Sequence, residues 1–207
     1  MKKQEHIAVF CVGNKLMYDD GLGPVVYEQL QSYELPDNVK LFDLGCLTMD
    51  RINDVRDFDL IITVDAIDGT DEPVGTLFRF APEDMAQRSF GTQSLHDLKL
   101  SDLFNSAALL GYECDGVCLG MQVENPFPEE VCVGLSPQVE EAVPNLVDLV
   151  LAELVNRGIE IIERSSGKPV MPGFHHQMTD KDLLECSPRS AGAVSDKTLD
   201  QTEPTDD

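Results

Sequence analysis

The chain has 207 residues, of which 42% are hydrophobic, and it carries a formal net charge of −23 from 38 acidic and 15 basic residues. This length suits one domain with a sizeable core. The charge repels nucleic-acid phosphates and anionic lipids, and no apolar run reaches the roughly 18 residues of a membrane helix, so we expect neither nucleic acid nor membrane as a partner.

The first half of the chain alternates predicted strands and helices. Residues 7–12, IAVFCV, form a continuous apolar run that is typical of a buried parallel strand rather than of a signal peptide. Apolar residues at helical spacing predict a helix over 22–33, with Pro24 in its first turn. Further strands are predicted at 39–44, 60–66 and 75–80, and a short helix at 49–55.

The second half continues the alternation and then changes in character. A helical stripe spans 95–110, a strand is predicted at 117–123, and a long helix runs from an N-cap at Ser136 to Asn156, bent at Pro144. Beyond about residue 165 the chain is rich in Ser, Gly, Pro, Thr and acidic residues, which favours disorder or loose packing. We therefore predict a single α/β domain over residues 1–164 and a polar acidic tail over 165–207.

Polar residues follow several of the predicted strands. Asp19 and Asp20 follow the first strand, Asp43 ends the second, Asp65 lies at the end of the third, and His96 begins a later helix. Open α/β sheets carry their sites at the carboxyl ends of strands, so we expect these groups at one edge. Oxygen ligands with one imidazole suit a divalent ion such as nickel, zinc or manganese. The same set suits acid–base chemistry with His96 as the titrating member.

Each of these residues also has a structural interpretation. An aspartate at 19 or 20 can cap a helix, Asp43 suits a strand-end turn, and His96 suits a helix start. Asp65 indicates function more strongly, because a buried carboxylate is costly without a partner. The sequence lacks the GxGxxG, GxxxxGK[ST] and GxSxG motifs.

Six cysteines form no CxxC pair, which favours reduced thiols and a cytoplasmic protein. Cys11 and Cys132 lie in apolar runs and are predicted as small core residues. No cysteine has the electropositive surroundings that favour a thiolate nucleophile.

Four stretches resemble the hydrogenase maturation proteases, endopeptidases that trim the large-subunit precursor of nickel–iron hydrogenases. They are VFCVGNKLMYDDGLGPVVYEQL, FDLIITVDAID, SLHDLKLSDLF and CVGLSPQVEEAVPNLV, in the family's order over roughly residues 6–160. The resemblance implies a three-layer α/β/α sandwich with a twisted, mostly parallel five-stranded sheet. It further implies that Asp20, Asp65 and His96 are the catalytic and metal-contacting triad, and it matches Asp43 and Glu124 to positions near the site that we expect to bind substrate.

The resemblance also implies the chemistry. The nickel is carried by the substrate rather than permanently bound, and a C-terminal peptide is released from the nickel-loaded precursor without a serine or cysteine nucleophile. The precursor is the expected partner, and the protein is expected to be a monomer. Two alternatives stay open: an α/β metallohydrolase with its own divalent ion, and a checkpoint protein that binds the loaded precursor without cutting it.

Overall fold

The central sheet has five strands. The structure, a computed structural model, describes residues 4–46, 51–81 and 103–173. The sheet is built from β1 (Ile7–Val12), β3 (Val39–Gly45), β4 (Leu60–Ile67), β5 (Leu77–Phe80) and β6 (Asp115–Gln122). Its order is β3-β1-β4-β6-β5, with β5 antiparallel to β6 and the other pairings parallel. The mostly parallel five-stranded sheet predicted from the sequence is confirmed.

Helices cover both faces of this sheet. A 3₁₀ helix at Tyr18–Gly21 leads directly into the first α-helix, and the remaining helices lie further along the chain. They are α1 (Leu22–Leu30), α2 (Ile52–Val55), α3 (described over residues 103–109) and α4 (Pro137–Asn156). No helix in the described ranges is both long enough and apolar enough to cross a bilayer.

The alternation of side chains along β1 divides the core into two layers. Ile7, Val9 and Cys11 face α1 and α4, whereas Ala8 and Phe10 face α2 and α3. Successive residues of a strand point to opposite faces, so a continuous apolar run such as IAVFCV can fill both layers. The three-layer α/β/α arrangement follows from this pattern.

Close contact between β1 and α1 depends on Gly23. A Cβ atom added at Gly23 would lie 2.0 Å from the carbonyl oxygen of Val12, so only glycine allows the helix to approach the strand end this closely. The first turn of α1, and the loop before it, are thereby held against the carboxyl end of β1.

A small second sheet joins one strand that follows α1 to two strands that follow α4. It is formed by β2 (Tyr33–Glu34), β7 (Ile162–Glu163) and β8 (Lys168–Pro169), in the order β2-β7-β8. β7 and β8 pair antiparallel, so the boundary expected at residue 164 falls inside a hairpin. Residues 174–207 lie outside the described residues, and the disorder expected of the tail stays a prediction.

Candidate functional site

The loop after β1 is a tight turn in which Asn14, at its beginning, is hydrogen-bonded to Asp20, at its end. Gly13 has φ 139°, which favours glycine, and its backbone N–H donates to the Gly45 carbonyl at the end of β3. The Asn14 N–H donates to the Asp20 carbonyl at 3.0 Å, and the Asp20 N–H donates to the Met17 carbonyl at 3.1 Å. These bonds hold Asp20 at the carboxyl end of β1, immediately before α1.

Asp20 and Asp65 lie at the same edge of the sheet. Cys11 of β1 pairs with Val64 of β4, so Asp65 is one residue beyond the last of these register pairs. The 3₁₀ helix that carries Asp20 packs against β4. Both carboxyl-bearing residues are buried, with 3% and 4% of their surface exposed, and Asp65 Oδ1 accepts a hydrogen bond from the Ala66 N–H at 2.8 Å. Both residues therefore lie at the carboxyl ends of parallel strands, which is where the sequence predicted them.

The third predicted member of this site, His96, lies outside the described residues. Within residues 4–46, 51–81 and 103–173, no group of three or more His, Cys, Asp or Glu side chains is arranged to hold a metal ion. Asp20 and Asp65 are the two members of the expected set that the described residues contain. The role of His96 stays a prediction.

Asp19 has a structural role that differs from the capping interpretation. Its carboxylate is fully buried, and Gly21, not Asp19, is the N-cap of α1. Asp19 Oδ2 accepts from the Asn125 N–H at 2.9 Å, and Oδ1 accepts from the Ser136 N–H at 2.6 Å. Asp19 thus fastens the loop beside Asp20 to the segment between β6 and α4. Sequence reasoning missed this because the partners lie 106 and 117 residues away.

Asp43 and Glu124, the predicted substrate-binding residues, lie at the same edge and are exposed. Asp43 pairs in register with Cys11, its Oδ1 accepts from the Gly45 N–H at 3.3 Å, and its Oδ2 is 3.8 Å from Lys15 Nζ. Glu124 follows the end of β6 and precedes Asn125 in the chain. Asp43 therefore serves the strand-end turn, while both carboxylates stay accessible to a ligand.

Lys15 is the basic group closest to these carboxylates in the loop. Its ammonium lies 2.6 Å from Glu28 Oε1, and the hydrogen bond that it donates to Glu28 is the main cause that raises the pKa of Lys15. Desolvation lowers that pKa, and the charges of Glu28 and Asp43 and a hydrogen bond to Asp43 raise it. The ammonium is therefore shared between Glu28, at 2.6 Å, and Asp43, at 3.8 Å.

A buried amide and hydroxyl at this edge were not anticipated from the sequence. Gln122, at the end of β6, accepts from Thr70 through both the hydroxyl, at 2.5 Å, and the backbone N–H, at 3.2 Å. Its own amide group donates to the Val123 carbonyl at 2.8 Å. These bonds fix the loop after β4 against β6. The available signal was an amide residue at the end of an apolar strand, in GMQVEN.

Two of the described cysteines, Cys11 and Cys114, have thiols with a raised pKa. Cys11 is buried in the core as predicted, and burial, reinforced by the charge of Asp43, raises the pKa of its thiol far above the ordinary value. Burial, then the charges of Asp115 and Asp59, raises the pKa of Cys114 to about 12 despite an opposing backbone hydrogen bond at Ile61. Both thiols are therefore protonated at neutral pH and weak as nucleophiles.

Cys132 corrects the prediction from its apolar run. It is half-buried, and its neighbours Val131 and Val133 are 71% and 73% exposed. The run VCV lies on the surface, because its backbone pairs with the loop after β1 through an isolated bridge between Met17 and Cys132 rather than with the central sheet.

A cavity of about 480 Å³ lies at the opposite end of the sheet. It is lined by residues at the starts of β4 and β6, and by Arg79 and Arg157. Arg79 Nε and Arg157 Nε donate to the two oxygens of Glu153 at 2.9 and 3.1 Å. Asp20 and Asp65 lie at the other end of the sheet, so this cavity is separate from the carboxylate site.

Comparisons with known proteins agree with this architecture. A profile of the HycI hydrogenase maturation protease family matches residues 24–153. The hydrogenase 2 maturation protease of Escherichia coli (strain K12) is 31% identical over 162 residues, which covers 77% of this chain and 97% of the relative.

Solved structures give the same result for the fold. The hydrogenase maturating endopeptidase HybD from E. coli superposes with a TM-score of 0.67 at 30% identity, over 77% of this chain and 98% of that one. The solution structure of an endopeptidase from Escherichia coli has a TM-score of 0.70 at 31% identity, over 78% and 99%. The chain therefore belongs to the hydrogenase maturation protease family, whose members are peptide hydrolases.

Proposed function

We propose that this chain removes the C-terminal peptide from the large-subunit precursor of a nickel–iron hydrogenase once nickel has been inserted. The observation that carries the proposal is the burial of Asp20 and Asp65 at one edge of the sheet, delivered by separate segments. Open α/β sheets carry their sites at the carboxyl ends of their strands, and two buried carboxylates at that edge suit a catalytic role.

The nickel belongs to the substrate in this proposal. Oxygen ligands from Asp20 and Asp65, with the imidazole of His96, form a donor set that suits a divalent nickel ion. An ion held beside the scissile bond polarises a carbonyl or lowers the pKa of a water molecule. The chain's own residues orient that ion, and Asp65 or His96 accepts the proton that the attacking water releases.

The contacts around Asp20 and Asp65 support these catalytic roles. The Ala66 N–H fixes the orientation of the Asp65 carboxylate, and Asp19 anchors the loop that carries Asp20. Rigid support of this kind is what a catalytic group requires. Asp43 and Glu124, exposed at the same edge, are proposed to contact the precursor outside the reacting bond. The protein is proposed to work as a cytoplasmic monomer.

Processing of the cognate nickel-loaded precursor by single variants tests the residue roles. Asp20→Asn, Asp65→Asn and His96→Ala are each expected to reduce the rate of peptide release by at least about a hundredfold, the scale of lost acid–base catalysis. Asp37→Asn, at an exposed turn before β3, is the matched control and should process at the wild-type rate. Wild-type rates in Asp65→Asn and His96→Ala would contradict the assignment.

Two measurements on the purified protein, its metal content and its binding to the loaded precursor, distinguish the two alternatives from the proposed function. About one divalent ion bound per chain, with hydrolysis of nickel-free substrates, would favour a metallohydrolase with its own ion. Tight binding of the loaded precursor without loss of a peptide would favour a checkpoint protein.

A further inference from the structure

Three large apolar side chains are exposed beside the loop that carries Asp20. Leu16 is 54% exposed, and Val131 and Val133 are 71% and 73% exposed. We call these three residues the apolar patch. Single exposed apolar residues are common, but a group of three next to a candidate catalytic loop indicates a contact surface.

Val131 and Val133 share one face, and Leu16 lies next to them. Met17 and Cys132 are bridged in a parallel pairing, and side chains alternate along extended backbone, so Val131 and Val133 lie on the opposite side of their segment from Cys132. Leu16 lies in the turn before Met17, and its carbonyl accepts from the Cys132 N–H at 3.1 Å. All three side chains are exposed to solvent.

The segment around Cys132 also offers an unpaired strand edge. The Cys132 N–H donates to the Leu16 carbonyl at 3.1 Å, and the Cys132 carbonyl accepts from the Tyr18 N–H at 2.7 Å. Both backbone groups of Cys132 therefore face the loop, and those of Val131 and Val133 face away from it. Within the described part of the chain, no backbone hydrogen bond engages Val131 or Val133.

This edge is rigidly connected to the candidate site. Asp19, next to Asp20, accepts a hydrogen bond from the N–H of Ser136, three residues after Val133. The bridge to Cys132 fixes the same loop from its other side. A peptide bound along the edge would therefore be held in a fixed relation to Asp20.

The charge around the apolar patch is negative. Glu124, Glu129 and Glu130 are exposed, and no Lys or Arg occurs between residues 124 and 136. Lys15, beside Leu16, is already paired with Glu28. Complementarity therefore favours a partner with apolar side chains at alternate positions and basic residues flanking them.

We infer that the outer edge of residues 131–133 binds the precursor segment next to the cleavage site in extended form, by addition of a strand. Backbone hydrogen bonds to Val131 and Val133 provide affinity, alternate apolar side chains of the segment rest on the apolar patch, and its basic residues meet Glu129 and Glu130. This inference rests on the proposed function and names how its substrate is held.

Steady-state processing of the nickel-loaded precursor by patch variants tests the inference. Val131→Asp and Val133→Asp are expected to raise KM about tenfold each with kcat retained, because binding is lost and the catalytic groups are untouched. Glu129→Lys with Glu130→Lys is expected to raise KM as well and to reverse its dependence on salt.

Leu109→Asp is the matched control. Leu109 is 91% exposed in α3, and other residues of α3, including Ala107 and Ala108, line the cavity at the opposite end of the sheet. The KM of Leu109→Asp should therefore equal that of the wild type. Val131→Thr and Val133→Thr keep the β-branched shape and are expected to recover most of the affinity.

Equal KM values in the aspartate variants and Leu109→Asp, with active wild-type enzyme, would overturn the inference and leave the proposed function intact. A change from dimer to monomer in those variants, seen by light scattering, would assign the edge to a second copy of the chain and would also overturn it. No processing by the wild type would instead refute the proposed function.

Discussion

Replacement of Asp19 by Ala tests whether the loop before α1 is held by one buried carboxylate. The carboxylate accepts from the N–H groups of Asn125 and Ser136, at 2.9 and 2.6 Å, and Asp19 is fully buried. Alanine removes both acceptors and leaves two N–H donors, one of them fully buried, without their partner. A hydrogen bond to a charged group contributes roughly 1.5–3 kcal/mol, so the free energy of unfolding should fall by about 3–5 kcal/mol.

Urea unfolding followed by circular dichroism measures this loss directly. The midpoint should fall with an unchanged slope, since the folded surface stays the same. Asp19→Asn keeps one acceptor and should lose about 2 kcal/mol, because its amide group opposes one of the donors. Asp37→Asn, exposed in a turn, should stay within about 0.5 kcal/mol of the wild type. A loss below about 1 kcal/mol in Asp19→Ala would refute this account of the loop.

Two further predictions concern other parts of the fold. Burial tends to raise the pKa of Glu153, but the hydrogen bonds and charges of Arg79 and Arg157 outweigh it and hold that pKa below its ordinary value. Glu153 therefore stabilises the fold above the carboxyl pKa of the unfolded chain, and that stability is lost as pH falls through the lower folded value. Urea unfolding should show Glu153→Gln less stable than the wild type at pH 7, by about 1–3 kcal/mol, with the difference shrinking towards pH 3; an equal difference at both pH values would contradict this. Gly23→Ala should prevent α1 from docking, because its Cβ would lie 2.0 Å from the Val12 carbonyl oxygen, and a melting temperature equal to that of the wild type would show that helix and strand can separate.

The strands that were predicted well are those with a strong local signal. IAVFCV and LIITVDAI are buried throughout, and continuous apolar runs with β-branched residues have few other interpretations. The position of Asp20 and Asp65 at one edge followed from parallel strand order, which places all carboxyl ends together.

The features that were not predicted depend on contacts between distant residues. Asp19 looked like a helix cap, because nothing near it in the chain marks Asn125 and Ser136 as its partners. The strands β2, β7 and β8 have two residues each, too few to show any periodicity.

The apolar run VCV at 131–133 led to the wrong prediction that Cys132 is a core residue. Its apolar composition indicates core, but its backbone pairs with a surface loop. Composition alone does not tell a core strand from an exposed edge that binds a partner.

A processing assay tests the central claim most directly. The purified chain is mixed with nickel-loaded and with nickel-free precursor of its cognate large subunit, and the mass of the precursor is followed. The account predicts loss of a C-terminal peptide from the loaded form only. Cleavage of both forms at the same rate, or of neither, would contradict it.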